Sequence, residues 1–398
     1  MIKDTDNLQL TQNQKRQAVS IFSSPLKVTA AQKKAPTKKI KVLTPKQLFL
    51  KATLLALGFA FILLLLTFLG VGLYAYGKFN QFAKTAGVDK SEFIHTVTTA
   101  YKSEPTHENY RKNFLVLGVD SLETRGDVPP LSDTMMLMSL NLKTGQINTL
   151  SLPRDLWSEA YKTKINALLA YGSEQTPDNP REFPEKVIEE LTAIDIHHTI
   201  VLSMEELSQL IDLAGGVEVE IETSFIDSEF PRTDVAITKE TDPAKLYETV
   251  AFKQGSELMN SERALKYIRS RKSEDDQGTD ISRGQRQQQV IRALFNKLSN
   301  IRQFIDDPAS AGELYKYYVD NFDQYLDVEE LISTVAMLAP VRNQIKFKGD
   351  SLSIYPEDKN GVITNPPIWQ YQGQWIYEIR DLENFKTEIK TKLYNEKK

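Results

Sequence analysis

The sequence contains no cysteine among its 398 residues, and we find no internal repeat. The lack of cysteine excludes disulfide bonds, thiolate metal ligands and cysteine redox chemistry. Any part of the chain that folds outside the cytoplasm must therefore be stabilised by its core.

Charged residues are missing from one long stretch, residues 52–76, which is almost entirely apolar. A helix of this length spans roughly 37 Å, enough to cross a hydrocarbon layer of about 30 Å with some tilt. A secretory signal peptide is the alternative, but its apolar region is only about 7–15 residues long and ends at a small-residue cleavage site. The stretch therefore predicts one transmembrane helix.

The segment before this helix has a net positive charge, whereas the part after it has a net negative charge. Residues 1–51 carry eleven Lys or Arg and two Asp, which predicts a cytoplasmic N-terminus and an extracytoplasmic remainder at the cell membrane. Because this tail is also rich in Lys, Gln, Ser and Thr, we expect it to be disordered. The whole chain has a net charge of −4, so the part after the tail is near −13, which argues against nucleic acid as a partner.

Beyond the helix, the pattern predicts a stalk over residues 77–111, a catalytic domain over 112–300 and an extension over 301–398 that completes or flanks the core. Short apolar runs typical of buried strands alternate with helical patterns, which favours an α/β sandwich. Residues 224–255 show no sustained period, so we expect loops that flank a cleft.

The segment 267–288, YIRSRKSEDDQGTDISRGQRQQ, contains two polar arrays: Arg269 with Arg271, and Arg283 with Arg286 and Gln287. The first pair shares a face if its chain is extended, because strand side chains repeat every two residues. The second array shares a helix face, because its members lie three and four residues apart. Arginine binds phosphate through a planar fork of donors, so the arrays indicate a site for a doubly phosphorylated group. A solvated charged hairpin is the alternative, since acidic residues lie among the arginines.

Three further polar residues, Asp120, Asp133 and Arg154, lie at the ends of predicted strands, where ligands gather in open α/β sheets. A carboxylate there can hold Mg²⁺, which prefers one or two carboxylates together with phosphate oxygens and water. The alternatives are a capping role for each aspartate and a surface ion pair for Arg154. Position alone does not choose between them.

Seven motifs occur in the order found in the LytR-CpsA-Psr family: NFLVLGVDS, SDTMML, SLPRD, KINALLAYG, LIDLAGGVEV, ALKYIRSR and DISRGQRQQQVI. On these motifs, which cover roughly residues 113–300, and on the preceding membrane helix, the chain resembles that family. The resemblance implies an α/β/α sandwich with a central mixed sheet. It also implies a membrane-anchored, extracytoplasmic phosphotransferase that moves a glycopolymer from a polyprenyl pyrophosphate carrier onto peptidoglycan.

The resemblance also implies roles for individual residues. Asp120 and Asp133 are expected to hold Mg²⁺. The expected pyrophosphate-binding group consists of Arg154, Arg269, Arg271, Arg283 and Gln287. Asp280 is similar to the family's acid, which orients these arginines or acts on the acceptor hydroxyl, so the implied catalytic residues are Arg154, Arg269, Arg271 and Asp280.

One position departs from the family pattern. The family commonly has arginine two residues before the second metal carboxylate, and this sequence has Leu131 there. Either Arg125, in the preceding loop, reaches the same anion, or the site uses four arginines. The departure gives some weight to a membrane-anchored sensor of lipid-linked wall precursors, and a hydrolase that only cleaves the polyprenyl pyrophosphate is the other alternative.

Overall fold

The computed structural model describes residues 44–119, 130–232, 242, 245–273 and 275–394. It divides the chain into two compact units, Met1–Gly70 and Val71–Lys398. The predicted site residues Asp120 and Arg125 lie outside the described residues.

One long helix, α1, runs over Pro45–Ala86 and contains the whole apolar stretch predicted to cross a membrane. Its most apolar window has none of its residues buried inside the protein, as expected for a helix whose side chains face lipid. The helix begins at Pro45, so the last residues of the tail predicted to be disordered are helical. Asp89 caps the next helix, α2 (Lys90–Ala100), by accepting hydrogen bonds from the backbone N–H groups of Ser91 and Glu92.

The second unit is built around a five-stranded sheet in the order β11-β3-β2-β1-β6. The bounds of these strands are β1 Arg111–Val119, β2 Ser132–Asn141, β3 Gln146–Leu152, β6 His198–Ser203 and β11 Lys346–Ser351. β1, β2 and β3 pair antiparallel, whereas β6 and β11 pair parallel with β1 and β3. The sheet is therefore mixed.

The remaining strands form small two- or three-stranded sheets. Their bounds are β4 Trp157–Ser158, β5 Thr163–Lys164, β7 Val217–Ile221, β8 Phe225–Pro231, β9 Tyr247–Phe252, β10 Gly255–Met259, β12 Ile354–Tyr355, β13 Ile363–Thr364 and β14 Glu378–Ile379. The pair β8 and β9 corrects the expectation of loops over residues 224–255.

Helices cover both faces of the central sheet. Their bounds are α3 Leu168–Gln175, α4 Glu182–Thr192, α5 Met204–Leu213, α6 Ser261–Arg269, α7 Asp280–Leu298, α8 Ile301–Asp306, α9 Pro308–Asn321, α10 Val328–Leu338 and α11 Leu382–Tyr394. Because side chains alternate along a strand, Leu115 and Leu117 of β1 pack with α3, α4 and α11, whereas Phe114 packs with α10 on the opposite face. The architecture is an α/β/α sandwich.

The C-terminal residues take part in this sandwich. β11 adds a strand to the sheet beside β3, and Phe385, Ile389 and Leu393 of α11 are buried in the same apolar cluster as Leu115. At about 25 cal/mol per Å² of apolar surface removed from water, each such side chain contributes about 1.5–3 kcal/mol. The segment 301–398 thus supplies part of the core, and Ser351, at the end of β11, reaches the functional site described next.

Candidate anion-binding site

The site begins where β2 starts and β3 ends. These strands are antiparallel, with Met135 opposite Leu152, so Asp133 and Arg154 emerge side by side at one edge of the sheet. Arg154 Nη1 donates a hydrogen bond of 2.6 Å to Asp133 Oδ1, and its Nε lies 3.5 Å from Asp155 Oδ2. Arg154 therefore forms ion pairs, as one alternative from the sequence proposed, but these pairs with Asp133 and Asp155 lie at a cavity and not on the open surface.

Helix α7 brings a second set of polar side chains to the same place. Thr279 caps this helix by accepting a hydrogen bond from the Ser282 backbone N–H, which fixes where its first turn begins. Arg283 and Gln287, one turn apart, both line the cavity beside Asp133. Arg283 Nη2 also lies 3.5 Å from the backbone oxygen of Asp133, at the limit of a hydrogen bond.

Asp280 joins the two arginine arrays. Its Oδ1 lies 3.0 Å from Arg283 Nη2 and 3.6 Å from Arg271 Nη2, although the two arginines are on different segments. A carboxylate between two guanidinium groups restrains both side chains. This arrangement favours the orienting role over the alternative role on the acceptor hydroxyl.

The environment of Arg283 shows a local excess of positive charge. Burial lowers the pKa of its guanidinium; Asp280 opposes this shift, while Arg271 and Arg154 lower the pKa further. For Arg154, burial acts in the same direction, but Asp133 and Asp155 outweigh it and raise the pKa. A bound anion would stabilise the charged form of Arg283, because it would offset the repulsion from its neighbours.

Two adjoining cavities meet at Asp133, Arg283 and Gln287, which line both. The first, which we call the sheet cavity, has a volume of about 30 Å³ and is also lined by Ser151, Arg154, Asp280, Ser351 and Tyr377, among others. The second, the arginine cavity, has a volume of about 180 Å³ and is also lined by Met204, Phe230, Pro231, Ile268, Arg269 and Arg271. Four arginines and two aspartates thus surround the two cavities, leaving a net positive charge.

Of the predicted site residues, the structure brings Asp133, Arg154, Arg269, Arg271, Asp280, Arg283 and Gln287 together around these cavities. The condition under which Arg269 and Arg271 would share one face of an extended chain is not met, because Arg269 is the last residue of α6 and only the chain after it is extended. Leu131 does not line either cavity.

No sequence pattern pointed to Asp227, which holds the arginine segment in place. This carboxylate is 0% exposed and accepts three backbone N–H groups, from Glu229 at 3.1 Å, Arg271 at 2.9 Å and Lys272 at 3.1 Å. Asp227 also forms an isolated β-bridge with Ser273. The backbone that carries Arg271 is therefore fixed by a buried carboxylate from β8.

Arg286, which the sequence placed on the same helix face as Arg283, has a different role. It is 1% exposed and donates to the backbone oxygens of Tyr267 at 2.9 Å and Gln277 at 2.8 Å, and to that of Ser270. Its guanidinium also lies over the ring of Phe225, 4.7 Å from the centroid. Burial lowers the pKa of Arg286 to about 10. Arg286 therefore connects α7 to the chain around Arg271 and is absent from the lining of both cavities.

Asp133 is the described carboxylate best placed to contact a cation, since it lines both cavities. Among the described residues, no group of three or more His, Cys, Asp and Glu side chains could hold a metal ion. A site with few protein carboxylates suits Mg²⁺, which takes its other oxygens from substrate phosphate and water. The donor set thus fits Mg²⁺ bound together with a phosphorylated ligand.

Comparison with known proteins gives consistent matches. The model of the LytR_cpsA_psr family matches residues 73–365. The chain is 31% identical over 274 residues to the polyisoprenyl-teichoic acid–peptidoglycan teichoic acid transferase TagU of Oceanobacillus iheyensis, covering 68% of this chain and 72% of that protein. It is 25% identical over 322 residues to the corresponding transferase TagT of Bacillus subtilis, covering 79% and 88%. A crystal structure of B. subtilis TagU aligns with a TM-score of 0.44 and 22% identity over 72% of this chain and 98% of that one.

Proposed function

This chain belongs to the LytR-CpsA-Psr family, and on that premise we propose that it transfers a glycopolymer from a polyprenyl pyrophosphate carrier onto peptidoglycan or a related cell-wall acceptor. The relatives named above are transferases of this kind. The observation that carries the proposal is the convergence of Arg154, Arg269, Arg271 and Arg283 on two adjoining cavities.

The reaction is a phosphoryl transfer between oxygens. A hydroxyl oxygen of the acceptor glycan forms a bond to the phosphorus attached to the glycopolymer. The bond from that phosphorus to the bridging oxygen breaks, and polyprenyl phosphate departs with the proton of the hydroxyl. Such a transfer needs no nucleophile from the protein, because catalysis rests on positioning and on neutralising charge on the phosphate oxygens.

The protein's own groups supply both requirements. Arg154 and Arg283 hold one phosphate from the sheet side, and Arg269 and Arg271 hold the other from the arginine cavity. Asp280 keeps Arg271 and Arg283 aimed at the same anion through its two ion pairs. Arg154 lines the sheet cavity, so its guanidinium offers donors to a phosphate oxygen there.

Asp133, with Asp120 as the expected second ligand, would hold Mg²⁺ beside the pyrophosphate. When bound, Mg²⁺ supplies further neutralisation of charge on the phosphate oxygens. The arginine residues remain the groups that orient the pyrophosphate.

The lipid lies on the side of the arginine cavity. Met204, Phe230, Pro231 and Ile268 give this cavity an apolar wall next to Arg269 and Arg271, which suits a phosphate attached to a hydrocarbon chain. The helix α1 anchors the chain in the cell membrane, with the N-terminus in the cytoplasm and the site outside, as the charge of residues 1–51 indicates. Donor lipid and enzyme would then share one membrane surface.

The test incubates the full chain in detergent with Mg²⁺, a polyprenyl pyrophosphate oligosaccharide and peptidoglycan fragments, and follows the phosphate by mass spectrometry. We expect a phosphodiester conjugate of oligosaccharide and peptidoglycan that Arg271→Ala abolishes. Arg302→Ala is the matched control, because Arg302 is an exposed arginine on α8, ion-paired only at 3.9 Å to Asp306.

Two outcomes would overturn the proposal. Free sugar phosphate without a conjugate would indicate a hydrolase. Tight binding of intact lipid without any product, weakened but not abolished by Arg271→Ala, would indicate a sensor.

A further inference from the structure

The chain has three tryptophans, Trp157, Trp369 and Trp375. Trp369 belongs to the short helix Ile368–Tyr371, whose Tyr371 contacts Trp157, and Trp375 follows four residues after Tyr371. Trp369 is 76% and Trp375 52% exposed, although large aromatic side chains are normally buried. Trp157 lies 5.4 Å from Tyr371, and Trp375 lies 6.4 Å from Tyr377, both edge to face. We call these five side chains the aromatic face.

The backbone holds the aromatic face directly against the site. The Trp157 N–H donates to the Tyr377 carbonyl at 2.8 Å, and the Tyr377 N–H donates to the Asp155 carbonyl at 2.9 Å. Asp155 follows Arg154 in the chain, and Tyr377 itself lines the sheet cavity beside Asp280. The aromatic face is therefore the continuation of the sheet cavity onto the surface.

Apart from the carboxylates Glu159 and Glu378, the polar residues beside the rings are uncharged amides. In the sequence IWQYQGQW, glutamines 370, 372 and 374 alternate with the aromatic residues, and residues 366–379 contain no Lys or Arg. The two lysines of the neighbouring β4–β5 hairpin are already paired, Lys162 with Glu159 and Lys164 with Asp155. Residues 157–164 and 366–379 thus leave no Lys or Arg unpaired, which does not suit a polyanionic polymer or an anionic lipid surface.

Exposed rings interleaved with amides suit a neutral sugar chain. Aromatic side chains supply flat apolar area at a low cost in conformational entropy, and amide groups donate to and accept from hydroxyl and acetamido groups. Continuous exposed apolar area next to a polar cleft marks a binding surface. The arginine cavity already accounts for the lipid, so the aromatic face is on the side left for the acceptor.

We propose that the aromatic face binds the acceptor, a neutral glycan strand of N-acetylated sugars, and leads its hydroxyl into the sheet cavity. This inference rests on the proposed transferase function. It concerns residues that lie mostly past residue 365, where the family match ends, and so assigns a role to this chain's own C-terminal segment.

Intrinsic fluorescence gives a direct test, because every tryptophan of the protein lies in the aromatic face. The full chain is placed in phosphatidylcholine nanodiscs and titrated with chitotetraose, a neutral oligosaccharide of N-acetylglucosamine. We expect a saturable change in tryptophan emission, and we expect Trp369→Ala and Trp375→Ala each to weaken binding about tenfold. Tyr101→Ala is the matched control, since Tyr101 is a 69% exposed aromatic residue outside the aromatic face.

Binding of inorganic pyrophosphate, measured by calorimetry on the same samples, separates this inference from the proposed function. Retained pyrophosphate affinity in both tryptophan variants also shows that they are folded. Chitotetraose binding that these variants weaken would support the inference even if no transfer were detected. No emission change with chitotetraose in the wild type, while pyrophosphate still binds, would overturn the inference and leave the transferase proposal intact. Quenching of the tryptophans by brominated acyl chains in the nanodisc would also overturn it, because the aromatic face would then lie in the membrane surface.

Discussion

Asp227→Asn is the substitution that best tests how the anion site is built. The carboxylate accepts three backbone N–H groups in a position with no solvent exposure. Hydrogen bonds to a charged acceptor contribute about 1.5–3 kcal/mol each and neutral ones about 1 kcal/mol. The asparagine oxygen can replace at most two of the three bonds, and its NH₂ group then faces the third donor. Since Arg271 and Lys272 are exposed and regain some water, we expect a loss of about 3–5 kcal/mol in the free energy of unfolding.

A change of this size is measurable in the full chain. For a folded unit of roughly 330 residues, it corresponds to a fall in melting temperature of about 4–7 °C. Differential scanning calorimetry in detergent would detect the shift, with Asp306→Asn as the control, because Asp306 is an exposed aspartate outside the site. The reasoning would be refuted if Asp227→Asn melted within about 1 °C of the wild type.

The same variant should also weaken pyrophosphate binding, because the backbone that positions Arg271 is no longer fixed. We expect an increase in Kd of about tenfold by calorimetry, which corresponds to about 1.4 kcal/mol. In the background of Arg271→Ala this effect should disappear, because the side chain that Asp227 positions is already gone. Equal losses in both backgrounds would show that Asp227 acts on the site by another route.

Three further variants test other parts of the structure. Arg286→Lys should lower the melting temperature by several degrees, because one ammonium group cannot replace a guanidinium fork that reaches three backbone carbonyls. Its control is Arg292→Lys, since Arg292 is exposed. Equal melting temperatures for the two variants would contradict the structural role of Arg286. Gly284→Ala should weaken pyrophosphate binding a few-fold in calorimetry, because the new Cβ would lie 3.1 Å from Ser151 Cβ and force α7 away from β3. Unchanged affinity would show that the position of α7 does not determine pyrophosphate binding. Burial lowers the pKa of His198 below its usual 6.5, so the unfolded chain takes up a proton at a higher pH than the folded chain does, and stability is lost as pH falls from about 6.5 towards the folded-state pKa. His198→Gln should therefore reduce the fall in melting temperature between pH 7 and 5.5. An unchanged pH slope would refute this.

The sequence was informative wherever periodicity and burial agree. The strands around Leu115, Leu137 and Leu150 are short apolar runs, and their alternation with helical patterns was enough to predict the sandwich. The residues of the site could also be predicted, because arginine spacing and the family resemblance point to the same positions. Their convergence on two cavities needed the structure, since Asp133 and Arg283 are 150 residues apart in the chain.

The features that were not predicted from the sequence were missed for physical reasons. β8 alternates Phe225, Asp227 and Phe230 across a bulge, and its inward aspartate interrupts the apolar period that identifies a strand. The burial of Asp227 is satisfied by backbone N–H groups from a distant segment, which no local pattern records. The extended chain that would place Arg269 and Arg271 on one face is not present at Arg269, because the helix capped by Asn260 extends through this residue.

The parallel pairing of β11 with β3 has a consequence for folding while the chain is being synthesised. β3 ends at Leu152 and its partner begins at Lys346, so roughly 190 residues are synthesised between them. At about 5–20 residues per second, this interval lasts roughly 10–40 s. During that time the open edge of β3 is exposed to pairing with other newly made strands. The nascent chain is therefore vulnerable to aggregation from the completion of β3 until β11 is made, and a stop codon before Lys346 would make that vulnerable state permanent.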